Sequence, residues 1–421
     1  MFVPIAPHPR SRIYTTYKSY LSFFTNIFLG RIRRGDDVYK LERLLAEKLN
    51  IHHAVCVPMD RVGIYFSVKN LIKPGQGVIM SPYTIVDVVN MVISAGGVPI
   101  FADTEKKSGN IDPGKIEQLI DDNIGAVLIT HLHGISASAL EILSICQKHQ
   151  LPLIEDTAQA LGAKEDNKFL GTIGTVGVFS FGMYKNINCW YGGAVVSNDK
   201  VLIDKIRNDL EHYNYSSAWF IFKRILKGLV TDLLTTPIFF RLFIFWVFRY
   251  GFLNNIRAIN KWMETELDLK LHNTIPSHYL TRLTPWQARL VLLQLDKIEI
   301  HKQSRVVRAK MYYEGLKDLD GLVLPKDINN SSNSYLSFPI QYYDRNKLLK
   351  WLMLNNRDIA AQHFKNCADL PDFHAYHRDC PVARKTATEM ILLPTYPRYP
   401  ISEVKKNIKV IRSFFTETGD K

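Results

Sequence analysis

The chain has 421 residues, 47% hydrophobic and 22% charged, a balance that excludes an intrinsically disordered protein and leaves room for two packed domains. Its formal net charge of +13 directs attention to anionic partners: nucleic acid, anionic lipid or phosphorylated metabolites. Five scattered cysteines (Cys56, Cys146, Cys189, Cys367, Cys380) form no disulfide framework, and the opening "MFVPIAPHPRSRIYTTYKSY" lacks a basic-then-apolar leader, so a cytoplasmic protein is expected.

From about residue 50 to 200, short β-branched runs alternate with helical patterns. "HHAVCVP", "GVIMSP", "VPIFAD", "GAVLITHLHG", "LPLIEDTAQ", "TVGVFSF" and "GGAVVSND" read as strands, whereas "KIEQLIDD" and "ALEILSICQKHQ" carry apolar residues three and four apart. This alternation predicts an α/β fold with a mostly parallel sheet flanked by helices. Ligands of such sheets sit beyond the carboxyl ends of the strands, where Asp156, the pair His131 and His133, and Ser180 follow apolar runs.

Residues 212–270 differ in character. "SAWFIFKRILKGLVTDLLTTPIFFRLFIFWVFRYGFL" (217–253) mixes aromatic and basic residues, and Asp232 is the only acid between Glu211 and Glu264. No charge-free run approaches the ~18 residues of a membrane-crossing helix. Two readings stand: helices lying in a lipid headgroup layer, or a hairpin packed at a dimer interface or over the active site. Nucleic-acid binding has no supporting signature. Beyond the insert, 280–316 is helical in pattern, "SYLSFPIQYY" reads as a strand, and helices are expected near 345–355 and 402–416. The division predicted is 1–211, a large domain; 212–270, a basic aromatic insert; and 271–421, a linking helix and small C-terminal α+β domain. His374, His377 and Cys380 in "FHAYHRDC" lack a fourth ligand, so no metal is expected.

The run "VFSFGMYKNINCWYGG" (178–193) holds Lys185 as its only charge. Taken singly, Lys185 reads as a loop lysine and Asp156 as a cap or solvated acid. Taken together, Lys185, Asp156 and Ser180 fit the needs of one cofactor. Pyridoxal phosphate requires an amine for covalent attachment, an acid beside its pyridine nitrogen, and hydroxyl and N–H groups for its phosphate.

These segments resemble the DegT–DnrJ–StrS family of pyridoxal phosphate-dependent sugar aminotransferases, of the aspartate aminotransferase type (fold type I). "EDTAQALG" matches a family strand end. Ser180 precedes Lys185 by five residues, as in the family, and Asn186 and Gly192-Gly193 follow. "GNIDPGKIEQLI", "RLTPWQARLVLLQLDKIE" and "MILLPTYP" match further landmarks. The resemblance implies that Lys185 binds the cofactor and shuttles a proton, Asp156 pairs with the pyridine nitrogen, Gln159 approaches the phenolic oxygen, and Ser180 contacts the phosphate. It further implies a homodimer that moves an amino group, from glutamate, onto a nucleotide-linked keto-sugar for surface polysaccharide or glycoconjugates. Lys185 argues against the dehydratase branch, which carries histidine there. A non-catalytic binding protein of the same fold, or a membrane-peripheral scaffold working through 212–270, is the alternative.

Three departures accompany the resemblance. Asp60 and Arg61 in "PMDRVGIYF" replace the glycine and threonine of the family's phosphate turn, and Leu280 stands where an asparagine commonly reaches a neighbouring phosphate. Arg61 is expected either to bind the phosphate in their place or to pair with Asp60. The aromatic that covers the pyridine ring falls at Ile85, with an aromatic only at Tyr83, and either residue could serve. One of His131 and His133 is a candidate substrate contact, with a core role as the alternative.

Overall fold

The computed structural model describes residues 6–13, 16–261, 269–326 and 332–418. All seven apolar runs form strands of one sheet: β1 (His53–Val57), β2 (Gly77–Met80), β3 (Val98–Phe101), β4 (Ile124–Thr130), β5 (Leu153–Asp156), β6 (Val176–Ser180) and β7 (Gly193–Ser197). Their order is β1-β7-β6-β5-β4-β2-β3. Pairing is parallel from β6 through β3, while β7 runs antiparallel to both β6 and β1. Strands β2, β5, β6 and β7 are buried along their whole length, as expected for a sheet covered on both faces.

The N-terminal helices are α1 (Tyr17–Phe28), α2 (Asp37–Leu49), α3 (Asp60–Leu71) and α4 (Val86–Ser94), followed by α5 (Ala139–Lys148) and α6 (Lys200–Glu211). Of the helical pattern "KIEQLIDD" only the first three residues are α-helical, as the end of a short helix, Pro113–Glu117, opened by the Asp112 carboxylate on the Gly114 N–H.

The insert forms two helices, α7 (Ala218–Leu234) and α8 (Pro237–Leu253), bent 61° at their junction. Helix α8 contains a π-type stretch at Phe240–Ile244. Among the described residues no single helix is long and apolar enough to cross a membrane. Helix α7 buries Ile221, Ile225 and Gly228 and lies beside α1. There the Phe23 and Phe222 rings stack at 6.4 Å, and the Tyr20 hydroxyl donates to Asp232 at 2.6 Å. Helix α8 rests on the C-terminal lobe: Phe240 and Phe245 pack with Met353, and Arg249 Nε donates to the Met353 carbonyl at 3.1 Å.

The helical pattern of 280–316 is two helices, α9 (Pro285–Leu292) and α10 (Ile298–Leu316), separated by a 3₁₀ turn at Leu295–Lys297. Thr284 and Gln287 form a capping box with Pro285 at the first position, the arrangement that starts a helix most firmly. Helix α9 buries Trp286 in the core under the sheet. Helix α10 passes into a second core with Tyr312 and Leu316, around a small antiparallel sheet of Phe338–Gln341, Met390–Leu393 and Ala360–Ala361. The expected C-terminal helices are present at Arg345–Leu354 and Ile401–Thr418. A separate two-residue pairing of Tyr83–Thr84 with Lys365–Asn366 ties this lobe to the large domain.

Candidate active site

The site is built where β4, β5 and β6 end beside the start of α3. Successive residues of a strand point to opposite faces, so the neighbours Glu155 and Asp156 diverge. Glu155 is fully buried and accepts from the N–H groups of Gly171, Ile173 and Gly174 and from His131 Nε2, at 2.6–3.0 Å. Asp156 faces the other way. Its Oδ1 accepts from the Ala158 N–H at 3.0 Å and its Oδ2 from the Thr130 hydroxyl at 3.1 Å. Burial, reinforced by the negative charge of Asp60, pushes its pKa up to about 6.

Lys185 lies in the turn after β6, half-buried, and this turn is pinned throughout. Phe181 N–H donates to the Gly192 carbonyl and Cys189 N–H to the Phe181 carbonyl. Asn186 Nδ2 donates to the Leu161 carbonyl at 2.7 Å, and Gln294 brackets the Asn188 backbone through both its N and O atoms. Burial lowers the Lys185 pKa, Arg61 adds to the effect, and Asp60 and Asp156 oppose it. The amine is therefore easier to deprotonate than an ordinary lysine.

Gln159 accepts the His133 N–H at 2.8 Å through Oε1, which leaves its NH₂ as the donating end. Ser180 donates its hydroxyl to Asp60 Oδ1 at 3.1 Å. Asp60 is the first residue of α3, and the preceding Met59 supplies no side-chain cap; the Met59 carbonyl takes the Val62 and Gly63 N–H groups, which leaves those of Asp60 and Arg61 to face an anion. Gly193 makes this approach possible: a Cβ there would lie 2.5 Å from the Phe179 carbonyl oxygen and 2.9 Å from the Asp60 nitrogen.

The structure thus brings Lys185, Asp156 and Ser180 into one site, with Gln159 tethered at its margin, and places Tyr83 and His131 in the core instead. Arg61 does not pair with Asp60. Its guanidinium is bound by the Asp87 carboxylate of α4 and donates to the Tyr279 hydroxyl at 3.3 Å. Tyr83 is wholly buried, its ring on Phe364 and against the position of Gly109, so it presents no face to a cofactor; Ile85 is only half-buried. His131 is a core residue, held between Glu155 and the Ala137 N–H. His133 is also buried, and burial pushes its pKa down to about 3. Its Nδ1 faces Ser337 at 3.4 Å, while Nε2 has no hydrogen-bond partner. Leu280 is half-buried against the large core. In "FHAYHRDC", His374 belongs to a 3₁₀ turn and Cys380 is buried; among the described residues no cluster suited to a metal occurs.

Asp60 and Thr130 are the site residues that sequence reasoning passed over. Asp60 was visible as a departure from a phosphate turn, but its role depends on β6 and α3 meeting. Thr130 carries a signal of its own, a hydroxyl at the carboxyl end of a strand.

The donor set fits pyridoxal phosphate. A carboxylate fixed by Thr130 and Ala158 suits a protonated ring nitrogen, a readily neutralised amine stands nearby, and an uncapped helix start and a serine hydroxyl suit a phosphate. Asp60 alone opposes the phosphate charge.

Residues 26–220 and 251–412 match the model of the DegT/DnrJ/EryC1/StrS aminotransferase family. The chain belongs to that family. It is a pyridoxal phosphate-dependent aminotransferase of fold type I, in a family of sugar aminotransferases. The unmatched stretch, 221–250, falls within α7 and α8 of the insert. The chain is 26% identical over 402 residues to an uncharacterized protein of Methanocaldococcus jannaschii, covering 92% of each. It is 34% identical to the GDP-perosamine synthase of Vibrio cholerae over 173 residues, 41% of this chain and 47% of that one, so the chain aligns with about half of that relative's length. The solved structure of Helicobacter pylori PseC, an aminotransferase involved in the biosynthesis of pseudoaminic acid, superposes with a TM-score of 0.75 at 22% identity, covering 98% of this chain and all of that one; this likeness is one of fold.

Proposed function

We propose that this member of the family transfers an amino group from glutamate to the keto carbon of a nucleotide-linked sugar, in the making of a surface polysaccharide or glycoconjugate. The observation that carries the reading is the half-buried Lys185, whose amine feels the negative charges of both Asp60 and Asp156. The partial match to a GDP-perosamine synthase supports the sugar-nucleotide class of acceptor. When bound, pyridoxal phosphate supplies an electrophilic carbonyl and an electron-withdrawing ring. Lys185 Nζ holds and moves the proton at the carbon that loses or gains nitrogen. Asp156, its two oxygens fixed by Thr130 and Ala158, keeps a proton on the ring nitrogen. Gln159 offers its NH₂ to the phenolic oxygen, and Ser180 its hydroxyl to the phosphate. Donor and acceptor use the one site in turn. The family resemblance also supports a homodimer, and the absence of a disulfide framework supports a cytoplasmic location.

The test is to incubate cofactor-loaded protein with glutamate and a panel of nucleotide-linked keto-sugars, following 2-oxoglutarate and the aminated sugar. Turnover with at least one sugar is expected, and borohydride reduction should fix the cofactor on Lys185 in peptide mass spectra. Fixation on a different lysine, or no transfer to any sugar, overturns the reading.

A further inference from the structure

Three helices expose apolar stripes at helical spacing. On α1, Tyr17, Leu21, Phe24 and Phe28 follow one another at i, i+4, i+7 and i+11; Phe28 is 91% exposed and Leu21 62%. On α7, Leu226 and Leu233 are exposed, and on α8 Ile238 and Leu242 are, at 76% and 61%. These stripes do not belong to separate elements. Helices α1 and α7 are packed side by side through Phe23, Phe222 and the Tyr20–Asp232 hydrogen bond, and α8 continues from α7 across the 61° bend. A run of exposed apolar side chains on this scale marks an interaction surface.

Charge selects the occupant. Lys18, Lys223 and Lys227 are exposed on the same helices. Asp232, the one acid between Glu211 and Glu264, is turned inward onto Tyr20. A second copy of this chain would bring these lysines against like charge, at a cost. An anionic lipid surface instead complements them, and the partly exposed Trp219, Trp246 and Tyr250 are the residue types that settle at the headgroup level. Neither insert helix is long and apolar enough to cross a bilayer, and the two meet at 61°, which suits a body lying in the interface better than one crossing it. Finally, 221–250 lies outside the family match, so the family's sequence pattern does not prescribe the exposed side chains of the insert.

We propose that α1 and the insert form a docking face that seats the enzyme in the headgroup–acyl boundary of an anionic bilayer. The seat adjoins the active site, because a Cβ on Gly228 of α7 would lie 2.4 Å from Trp190 Nε1, in the same pinned turn as Lys185.

The experiment is flotation of the full-length, cofactor-loaded protein with vesicles of phosphatidylcholine alone or with about one-third phosphatidylglycerol. The protein should float with the anionic vesicles at least tenfold more than with the neutral ones, and added salt should weaken this. The exposed-residue variant Leu226→Ser/Leu233→Ser/Leu242→Ser should lose binding by about tenfold or more. Lys223→Glu/Lys227→Glu should lose roughly fivefold per residue of the anionic preference. Both should keep their circular dichroism and amino transfer with soluble substrates. No flotation by the wild-type protein, or equal flotation with both vesicles, overturns the proposal. So does a triple-serine variant that floats normally but sediments as a smaller oligomer, since the face would then join two copies.

Discussion

Asp60 sets an unusual balance at the amino end of α3. Its carboxylate accepts from Ser180 and stands at a helix start that would otherwise attract an anion. Asp60→Asn removes a charge that opposes the cofactor phosphate and that also holds the Lys185 pKa up. We expect cofactor binding to tighten by about tenfold, and the pH midpoint for cofactor incorporation, read from absorbance, to move to lower pH. A midpoint moving upward would mean that Asp60 does not face the amine. Asp156→Asn should lower kcat by a factor on the order of 10² or more while leaving Lys185 as the residue trapped by borohydride. At this scale Asp156 and Ser180 stood out at strand ends, whereas the roles of Lys185 and Gln159 came from the family resemblance of the segments that carry them. Arg61 was not. Its partner Asp87 lies on α4, and only the packing of α3 against α4 brings the two together. Tyr83 was misplaced for a related reason, since its place beside a strand end does not reveal that Phe364 of the C-terminal lobe covers it, while His131 takes the core role that was its alternative.

The strands were legible for a simple physical cause. A sheet buried on both faces demands continuous β-branched runs, and these seven runs stand between turn-forming residues. Helix lengths and partners were less so, since the break at Leu295–Lys297 and the pairing of α1 with α7 are tertiary matters. The second of these hangs on Gly228, where any side chain would meet the indole of Trp190. Gly228→Val should therefore lower stability by about 1–3 kcal/mol, measured by denaturant unfolding, and lift α7 away from α1. Gly193→Ala should be harsher, because its neighbours at 2.5 Å and 2.9 Å are backbone atoms of Phe179 and Asp60 that cannot swing aside. Loss of cofactor affinity should accompany that loss of stability, whereas Gly228→Val should spare the phosphate end of the site.

For the molecule as a whole, two buried groups near the site pull its pH dependence in opposite directions. Burial holds His133 neutral down to about pH 3 in the folded chain, while an unfolded histidine takes up its proton near 6.5. The unfolded state therefore binds more protons on acidification, and stability falls as pH drops below 6.5. Asp156 does the reverse. Its folded pKa of about 6 exceeds the unfolded value near 3.9, so the folded state takes up the proton first and stability rises as pH falls from 6 toward 4. In the cofactor-free protein the two largely cancel between pH 6 and 5. Asp156→Asn leaves the histidine alone, and stability should then fall on acidification, by on the order of 3 kcal/mol between pH 6.5 and 4. His133→Asn leaves the aspartate alone, and stability should rise over the same interval. Glu403 adds its own acid loss lower down. Burial works to raise its pKa, but Lys406 and Arg357 outweigh burial and hold it below the ordinary value. Denaturant titrations at pH 7, 6, 5 and 4, read as differences of each variant from the wild type, cancel the contributions of Glu403, of His8 and His301, which burial lowers, and of Glu42 and Asp232, which burial raises. Slopes of the same sign in the two variants would show that these groups do not govern the pH response.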